Sequence, residues 1–225
     1  MTDPIPTIMA AVRQRRTEAV AGLIRDALAQ GAPPEAILER GLVAGLDAVG
    51  RDFAQKAIFV PEMLISAAVV KQGLELLRPL LSRPAGGGRG LVLLATVKGD
   101  LHDIGKNILA MMLEGAGYRV VDLGVNVPAA EVVARVAELR PDAVGLSALL
   151  TITMSEMGKV VEGLRRRGLR EGVKVMVGGA PVDALFARRI GADLYCRTPR
   201  EAVERLAGLL AGGGDRPARS SFPFP

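Results

Sequence analysis

The first 82 residues repeat apolar side chains at steps of three and four, which is the spacing of amphipathic helices. The three stripes, in chain order, consist of Val20, Leu23, Ile24 and Leu28; of Leu38, Leu42, Leu46, Val49 and Phe53; and of Met63, Ala67, Val70, Leu74, Leu77 and Leu81. Pro33 and Pro34 stand where the second helix begins, a position at which proline is well tolerated. We therefore expect a small antiparallel helical bundle in residues 1–82.

The pattern changes after a stretch rich in proline and glycine, which predicts a linker at residues 83–90. From residue 91 to residue 211, short apolar runs alternate with amphipathic stretches of helical period. The runs, each predicted to be a buried strand, are 91–97, 118–123, 142–148, 173–179 and 192–196. Strands that alternate with helices indicate βαβ units, so we expect an α/β domain with a five-stranded parallel sheet of the Rossmann-like (flavodoxin-like) kind. The composition of residues 212–225 predicts a disordered tail.

Composition narrows the classes of function. The formal charge of +5 comes from basic residues scattered along the chain, and only 3% of the residues are aromatic, so we expect no nucleic-acid partner. No apolar run is long enough to cross a bilayer, and the first residues lack the order of a secretory signal, so we expect no membrane attachment. One cysteine, Cys196, leaves no internal disulfide to form. These features predict a cytoplasmic protein.

The one histidine, His102, lies in the segment GDLHDIGKNIL (residues 99–109), directly after the first predicted strand. Parallel sheets bind ligands at this edge. The sequence lacks the three or four ligands of a zinc site, the G-x-S-x-G elbow of a serine hydrolase and the G-x-x-x-x-G-K-[ST] phosphate loop. His102 is therefore a metal ligand beside a cofactor that fills the other positions, a general base, or a solvated side chain.

Neighbouring residues favour the metal ligand. Asp100 can accept a hydrogen bond from the imidazole nitrogen that does not bind metal, which would fix the tautomer of His102. Gly105 has no side chain to obstruct a large planar ligand. The third and fourth predicted strands end at the same edge in small or hydroxylated residues, with further hydroxyls just beyond: Ser147, Ala148, Thr151, Thr153, Gly178 and Gly179. Hydroxyl groups and bare backbone suit the polar tail of a ligand.

In these residues the chain resembles the corrinoid proteins of cobalamin-dependent methyltransferase systems, and with them the cap and B12-binding domains of methionine synthase. The family pattern D-x-H-x-x-G, S-x-L and GG is met by Asp100, His102, Gly105, Ser147, Leu149, Gly178 and Gly179. The gaps of 41 residues between Gly105 and Ser147 and of 28 between Leu149 and Gly178 are those of the family. The helical segment resembles the family's cap in VGRDF (49–53) and in residues 59–81. The resemblance covers about residues 15–210.

The resemblance implies a cofactor, cobalamin or a related corrinoid, whose benzimidazole tail leaves the cobalt, so that His102 becomes the axial metal ligand. Asp100 would hold His102, and Thr153, where the family usually has serine, would complete a proton relay. The residues implied to contact the cofactor are Glu39, Phe53, Val60, Gly99, Asp100, Leu101, His102, Asp103, Gly105, Ser147, Leu149, Thr151, Gly178 and Gly179. Phe53 and Val60, the latter in place of the leucine usual in methionine synthase, would lie over the methyl group on cobalt. Packing in the bundle core is the alternative for these two.

The function that the resemblance implies is that of a carrier subunit cycling between cob(I)alamin and methylcob(III)alamin. A substrate-specific methyltransferase would load the methyl group, an acceptor-side methyltransferase would pass it to tetrahydrofolate or a thiol, and a reductive activator would restore the cofactor. Such a subunit would not be catalytic alone. A stand-alone cobalamin sensor or storage protein is the alternative. Adenosylcobalamin mutases share the first motif but join it to a barrel, whereas this sequence predicts a helical bundle.

Overall fold

The computed structural model describes residues 3–81 and 89–211. Two compact units make up the chain: a helical unit of Met1–Arg89 with Ala110–Arg119, and a sheet unit of Gly90–Leu109 with Val120–Pro225. Of the predicted linker only Arg89 and Gly90 are described, and the predicted tail at 212–225 lies outside the described residues. Within the described ranges, no helix has the length and apolar character that a membrane span requires.

The helical unit is a bundle, as the sequence predicts. Its helices within Met1–Arg89 are α1 (Ile5–Arg13), α2 (Thr17–Ala29), α3 (Pro34–Ala36), α4 (Ala44–Ala54) and α5 (Val60–Leu81), and the π-helical segment Ile37–Val43 joins α3 to α4. The predicted stripes lie on α2, on the run from the π-helical segment to α4, and on α5. Most of their members are buried, namely Val20, Ile24, Leu38, Leu42, Val49, Val70, Leu74, Leu77 and Leu81.

The bundle begins one helix earlier than the periodicity predicts. Helix α1 buries Ile5, Ile8, Ala11 and Val12, and it packs against the π-helical segment and α4. Gly45 allows the close approach, since a Cβ atom there would lie 2.7 Å from Val12 Cβ. A nine-residue helix shows too few turns for its apolar stripe to stand out from the surrounding residues.

The sheet confirms the predicted fold class. Its strands are β1 (Leu91–Thr96), β2 (Arg119–Asp122), β3 (Ala143–Ser147), β4 (Lys174–Gly178) and β5 (Leu194–Tyr195). Their spatial order is β2-β1-β3-β4-β5, and the pairs β1–β3, β3–β4 and β4–β5 are parallel. This is the flavodoxin-like order, in which the connections from β1 and β3 leave in opposite directions and open a crevice between them.

Helices alternate with the strands as expected: α6 (Ile104–Gly115), α7 (Ala129–Leu139), α8 (Met154–Arg166), α9 (Ala184–Ile190) and α10 (Pro199–Ala211), with a short 3-10 turn at Arg170–Gly172. Every residue of β1 is buried. Apolar side chains of the central strands pack with those of the helices, for example Leu93 and Val175 with Val160 and Phe186 in one cluster. This core holds the carboxyl ends of β1, β3 and β4 in fixed positions.

Candidate functional site

The carboxyl ends of three strands meet in one row. Thr96 of β1 pairs with Ser147 of β3, and Ser147 pairs with Gly178 of β4. The loop with His102 follows β1, and the loop from Ala148 to Thr153 follows β3. The two loops therefore flank the crevice at the point where the strand order reverses. All three segments of the predicted motif converge there.

Asp100 joins the two loops. Its side chain is fully buried, although the residue lies in a loop. Its Oδ1 atom accepts hydrogen bonds from His102 Nδ1 at 2.7 Å and from the His102 backbone N–H at 3.1 Å. Its Oδ2 atom accepts from the backbone N–H groups of Leu149 and Leu150, at 2.8 and 3.1 Å, and from the Thr153 hydroxyl at 2.8 Å. One carboxylate thus receives five donors, which hold it in a single orientation.

These donors also keep Asp100 ionised. Burial raises the pKa of a carboxyl group, but the hydrogen bonds from His102, Leu149 and Thr153 outweigh it and hold the pKa of Asp100 well below its ordinary range. An ionised carboxylate can only accept hydrogen bonds, so His102 Nδ1 must carry the proton. In the neutral ring, Nε2 is then the unprotonated nitrogen.

The depressed pKa predicts how stability depends on pH. Because the folded-state value lies below that of the unfolded chain, about 3.9, ionised Asp100 stabilises the fold above that pH and loses this contribution as the pH falls toward the folded value. We expect Asp100→Asn to lower the free energy of unfolding of the cofactor-free protein by about 2 kcal/mol at neutral pH. Urea unfolding of both proteins between about pH 7 and pH 2 measures the difference, which should narrow below about pH 4. A difference that stays constant over this range would contradict the stabilising role of the charge.

His102 presents its second nitrogen outward. Its side chain is 47% exposed, and within residues 3–81 and 89–211 no protein group is hydrogen-bonded to Nε2. In the same ranges, no group of three or more His, Cys, Asp or Glu side chains could hold a metal ion. A metal at Nε2 must therefore take its other ligands from a bound molecule. A corrinoid fits this requirement, because its macrocycle would supply the other ligands of the metal and His102 would hold the metal through Nε2.

The motif glycines differ in what their surroundings require. A Cβ atom on Gly105, in the first turn of α6, would meet nothing within 4 Å, and one on Gly178 would lie 3.0 Å from the Cys196 carbonyl oxygen. Gly179 has a φ of +125°, and a Cβ atom there would lie only 1.8 Å from the Ala148 carbonyl oxygen. Gly179 is thus required by the backbone itself, whereas Gly105 leaves open space beside His102.

Exposed apolar side chains surround the polar centre. Leu101 is 69% exposed and Leu149 43%, and both were expected at the cofactor. Leu150 and Ile152, which belong to no predicted motif, are exposed in the same loop as Leu149. Apolar side chains exposed on two loops that are hydrogen-bonded to each other are a typical lining for a large ligand. Of the other expected residues, Thr151 is exposed, Asp103 is half-buried, and Gly99 has a φ of +82°.

The remaining predicted contacts belong to the helical unit. Glu39 lies half-buried in the π-helical segment, Phe53 near the end of α4, and Val60 at the start of α5. Phe53 is 39% exposed and Val60 51%, so neither belongs to the bundle core. The alternative of plain core packing is therefore wrong for both.

Sequence reasoning missed the backbone donors of the site. The N–H groups of Leu149 and Leu150 bind Asp100 whatever their side chains are, so no residue type announces them. It also missed Thr96, whose hydroxyl donates to the His102 carbonyl at 3.0 Å, and Asn126, whose side chain accepts from the Gly99 N–H at 2.8 Å. Both lie outside the motif segments, and only the fold brings them to the His102 loop.

Known proteins match both parts of the chain. A family model described as a B12 binding domain matches residues 90–207, and a second model of the same description matches residues 7–78. Trimethylamine corrinoid protein 2 of Methanosarcina mazei is 40% identical over 198 residues, which cover 87% of this chain and 91% of that protein.

Two solved structures extend the likeness. The monomethylamine corrinoid protein of Methanosarcina barkeri matches with a TM-score of 0.86 and 31% identity, covering 90% of this chain and 96% of that one. A chain of the methanol:cobalamin methyltransferase complex MtaBC of the same organism matches with a TM-score of 0.55 and 30% identity, covering 94% and 81%. The two family models together span most of the chain, and both the sequence and the fold match corrinoid proteins: the chain belongs to the B12-binding corrinoid proteins, and its cofactor is a corrinoid.

Proposed function

We propose that this chain is a methyl carrier, which binds its corrinoid through His102 and moves a methyl group between two partner methyltransferases in the cytoplasm. The observation that carries the proposal is the pair of His102 and Asp100, with Nδ1 bound to the carboxylate and Nε2 facing outward. When bound, the corrinoid supplies a cobalt centre that takes up a methyl group and releases it. His102 would supply a nitrogen to that centre, and Asp100 would hold the proton on the other ring nitrogen.

The protein would influence whether Nε2 of His102 carries a proton. Nε2 of His102 would have to be unprotonated to hold cobalt, and it would be able to carry a proton when no metal is bound. Ionised Asp100 stabilises the resulting imidazolium across the 2.7 Å contact. Thr153 completes the relay, since its Oγ1 atom lies 2.8 Å from both Asp100 Oδ2 and the Leu150 carbonyl. A hydroxyl has one proton, and because ionised Asp100 can only accept, Thr153 donates that proton to Asp100.

We also propose roles for the remaining predicted contacts. Ser147, Thr151, Gly178 and Gly179 line the slot for the nucleotide tail, which is supported by their common place at the carboxyl edge of β3 and β4. Residues 1–82 form a cap whose Glu39, Phe53 and Val60 contact the upper face of the corrin. The match of residues 7–78 to a B12 binding domain and the exposure of Phe53 and Val60 support this assignment.

The relatives support a methylamine as the source of the methyl group. Several are named for trimethylamine or dimethylamine, and the more distant solved complex is named for methanol. That complex joins a corrinoid protein to a methyltransferase, which supports a partner of the same kind for this chain. The acceptor-side methyltransferase, which delivers to tetrahydrofolate or a thiol, and a reductive activator complete the proposed system.

The test is methyl transfer to the reduced, corrinoid-loaded protein. We expect that adding the methyltransferase from the same organism, with trimethylamine, dimethylamine, monomethylamine or methanol in separate reactions, methylates the corrinoid roughly a hundredfold faster than the donor alone. Absorption spectra report the change in the corrinoid. The reason is that this chain holds and orients the cofactor, whereas donor activation requires a site on the partner.

The Asp100→Asn protein is the matched comparison, because it keeps His102 and changes only the group that orients it. We expect slower transfer with the same donor preference. If no methyltransferase from that organism methylates the wild-type protein, and cobalamin binding instead changes its oligomeric state, the protein is a sensor and the carrier proposal is wrong.

A further inference from the structure

The loop that follows β2 is hydrogen-bonded to the loop that carries Asp100 and His102. Asn126 makes both of the contacts: its side-chain Oδ1 accepts from the Gly99 N–H at 2.8 Å, and its backbone N–H donates to the Asp100 carbonyl at 2.9 Å. The Gly99 N–H lies before Asp100 in the chain and the Asp100 carbonyl lies after the Asp100 Cα. One residue therefore fixes the backbone on both sides of the carboxylate.

Asn126 can do this because of its own backbone conformation. Its φ is +55°, in the left-handed region, which asparagine adopts more readily than most residues with a side chain. In this conformation the side-chain oxygen and the backbone N–H both reach the same neighbouring loop. A residue restricted to the right-handed or extended regions would turn one of the two groups away.

The loop that carries Asn126 is itself anchored. Asp122 accepts from the Gly124 N–H at 2.8 Å through one carboxylate oxygen, and its other oxygen contacts the ammonium group of Lys106. Lys106 is 4% exposed, so this ion pair is shielded from water on the lysine side. On the far side of Asn126, the Val127 N–H donates to the Thr96 carbonyl at 3.0 Å. Asn126 is thus held from both directions and provides a fixed reference point for the His102 loop.

We propose that Asn126 is a positioning residue for the cobalt ligand: by clamping Gly99 and Asp100, it sets where the Asp100 carboxylate holds the imidazole of His102. The inference rests on the proposed role of His102 as the axial ligand. Asn126 does not contact the imidazole, and it acts only through the backbone of its neighbours. Removing the clamp frees the backbone on both sides of Asp100, while Leu149, Leu150 and Thr153 still hold its carboxylate, so the direction of the imidazole is less strictly set.

Two substitutions at Asn126 distinguish the loss of the clamping hydrogen bond from a general loss of folding. Asn126→Gly keeps the left-handed conformation, which glycine favours, and removes the side-chain acceptor. Asn126→Asp keeps an acceptor oxygen at the same reach. Arg140→Gly is the control, because Arg140 ends α7 with a φ of +47° and its substitution also places glycine at a left-handed position. If Asn126→Gly does not fold, Asn126→Ser, whose shorter side chain cannot span to Gly99, takes its place.

The first measurement uses the cofactor-free protein and amide hydrogen exchange. We expect the Gly99 amide to exchange roughly fivefold to tenfold faster in Asn126→Gly than in the wild type, as the loss of one hydrogen bond predicts. In Asn126→Asp and Arg140→Gly the rate should stay within about twofold. Equal Gly99 exchange in Asn126→Gly and wild type would overturn the clamp.

The second measurement asks whether the clamp matters to the ligand. With 15N-labelled protein, an unlabelled corrinoid and cobalt in the Co(II) state, EPR distinguishes the protein nitrogen from added 14N-imidazole. We expect the imidazole concentration that displaces half of the protein nitrogen to fall roughly fivefold in Asn126→Gly and to be restored in Asn126→Asp.

If the imidazole concentration that displaces half of the protein nitrogen is unchanged in Asn126→Gly, Asn126 only joins the two loops and does not position the ligand. His102→Ala separates this failure from that of the proposed function. If His102→Ala and wild type give the same EPR splitting, His102 is not the ligand and the proposed function fails. If His102→Ala loses the splitting of the wild type, but Asn126→Gly has the same imidazole displacement concentration as the wild type, only the clamp proposal fails.

Discussion

Replacing His102 with alanine is expected to remove the protein's nitrogen from cobalt completely. In 15N-labelled wild-type protein with an unlabelled corrinoid, the EPR lines of the Co(II) form should split into doublets, because one 15N nucleus has spin one half. His102→Ala should show no doublet, and should show either no nitrogen splitting or the triplet of the corrinoid's own benzimidazole. The physical reason is that, within residues 3–81 and 89–211, His102 is the only imidazole at this edge of the sheet and its Nε2 faces outward.

Added imidazole provides the control for this substitution. The side chain of His102 is 47% exposed, so a free imidazole can reach the space that alanine leaves. We expect 15N-imidazole to restore the doublet in His102→Ala and the melting temperature of the cofactor-free variant to stay close to that of wild type. A doublet that persists in His102→Ala without added imidazole would show that another protein nitrogen binds the cobalt.

Gly179→Ala is expected to be the most destabilising single substitution at this edge of the sheet. A Cβ atom on Gly179 would lie 1.8 Å from the Ala148 carbonyl oxygen and 2.8 Å from its carbonyl carbon, and the φ of +125° is one that alanine avoids. The clash is with backbone, so no side-chain rotation can relieve it. We expect a loss of at least about 3 kcal/mol in the free energy of unfolding, or no folded protein at all.

Gly178→Ala is the matched control, since it makes the same chemical change one residue earlier. A Cβ atom there would be 3.0 Å from the Cys196 carbonyl, a tight contact that a small shift relieves. We expect this variant to lose about 1 kcal/mol or less, as measured by urea unfolding of the cofactor-free protein. Equal unfolding midpoints for the two variants would contradict the distinct role of Gly179.

The two glycines also show what a motif does and does not reveal. The sequence places both at the end of a strand and, through the family resemblance, assigns both to the slot for the cofactor tail. It cannot show that any side chain at Gly179 would clash with Ala148, which lies in the loop after β3. That close approach depends on the register of β3 with β4. Residue type predicted the place, and only the fold separates the two roles.

Elements with a strong local signal were predicted well. The stripe on α5 is long enough for its period to fix type and position, and the short apolar runs of β1, β3 and β4 were recognised because amphipathic stretches alternate with them. Helix α1 was missed because nine residues give too short a pattern. The π-helical segment Ile37–Val43 was missed because its apolar stripe continues that of α4.

The residues of the candidate site also differ in whether the sequence could predict them. Asp100, His102 and Thr153 could be named from the sequence, because carboxylate, imidazole and hydroxyl groups carry the chemistry that the motif requires. The N–H groups of Leu149 and Leu150 could not, since every residue except proline has one. Asn126 gave no signal either, because its effect depends on a backbone torsion angle and on a loop that is distant along the chain.

The five donors around Asp100 all come from His102, Leu149, Leu150 and Thr153. The protein alone therefore supplies the hydrogen bonds that the carboxylate needs, without a contribution from the cofactor. The imidazole consequently has little rotational freedom left to lose when it bonds to a metal. If the ring detached from a metal, the surrounding dipoles would not need to rearrange, and the ring would stay in place to bind again. In the proposed carrier cycle, breaking and remaking this bond would thus require little reorganisation of the protein.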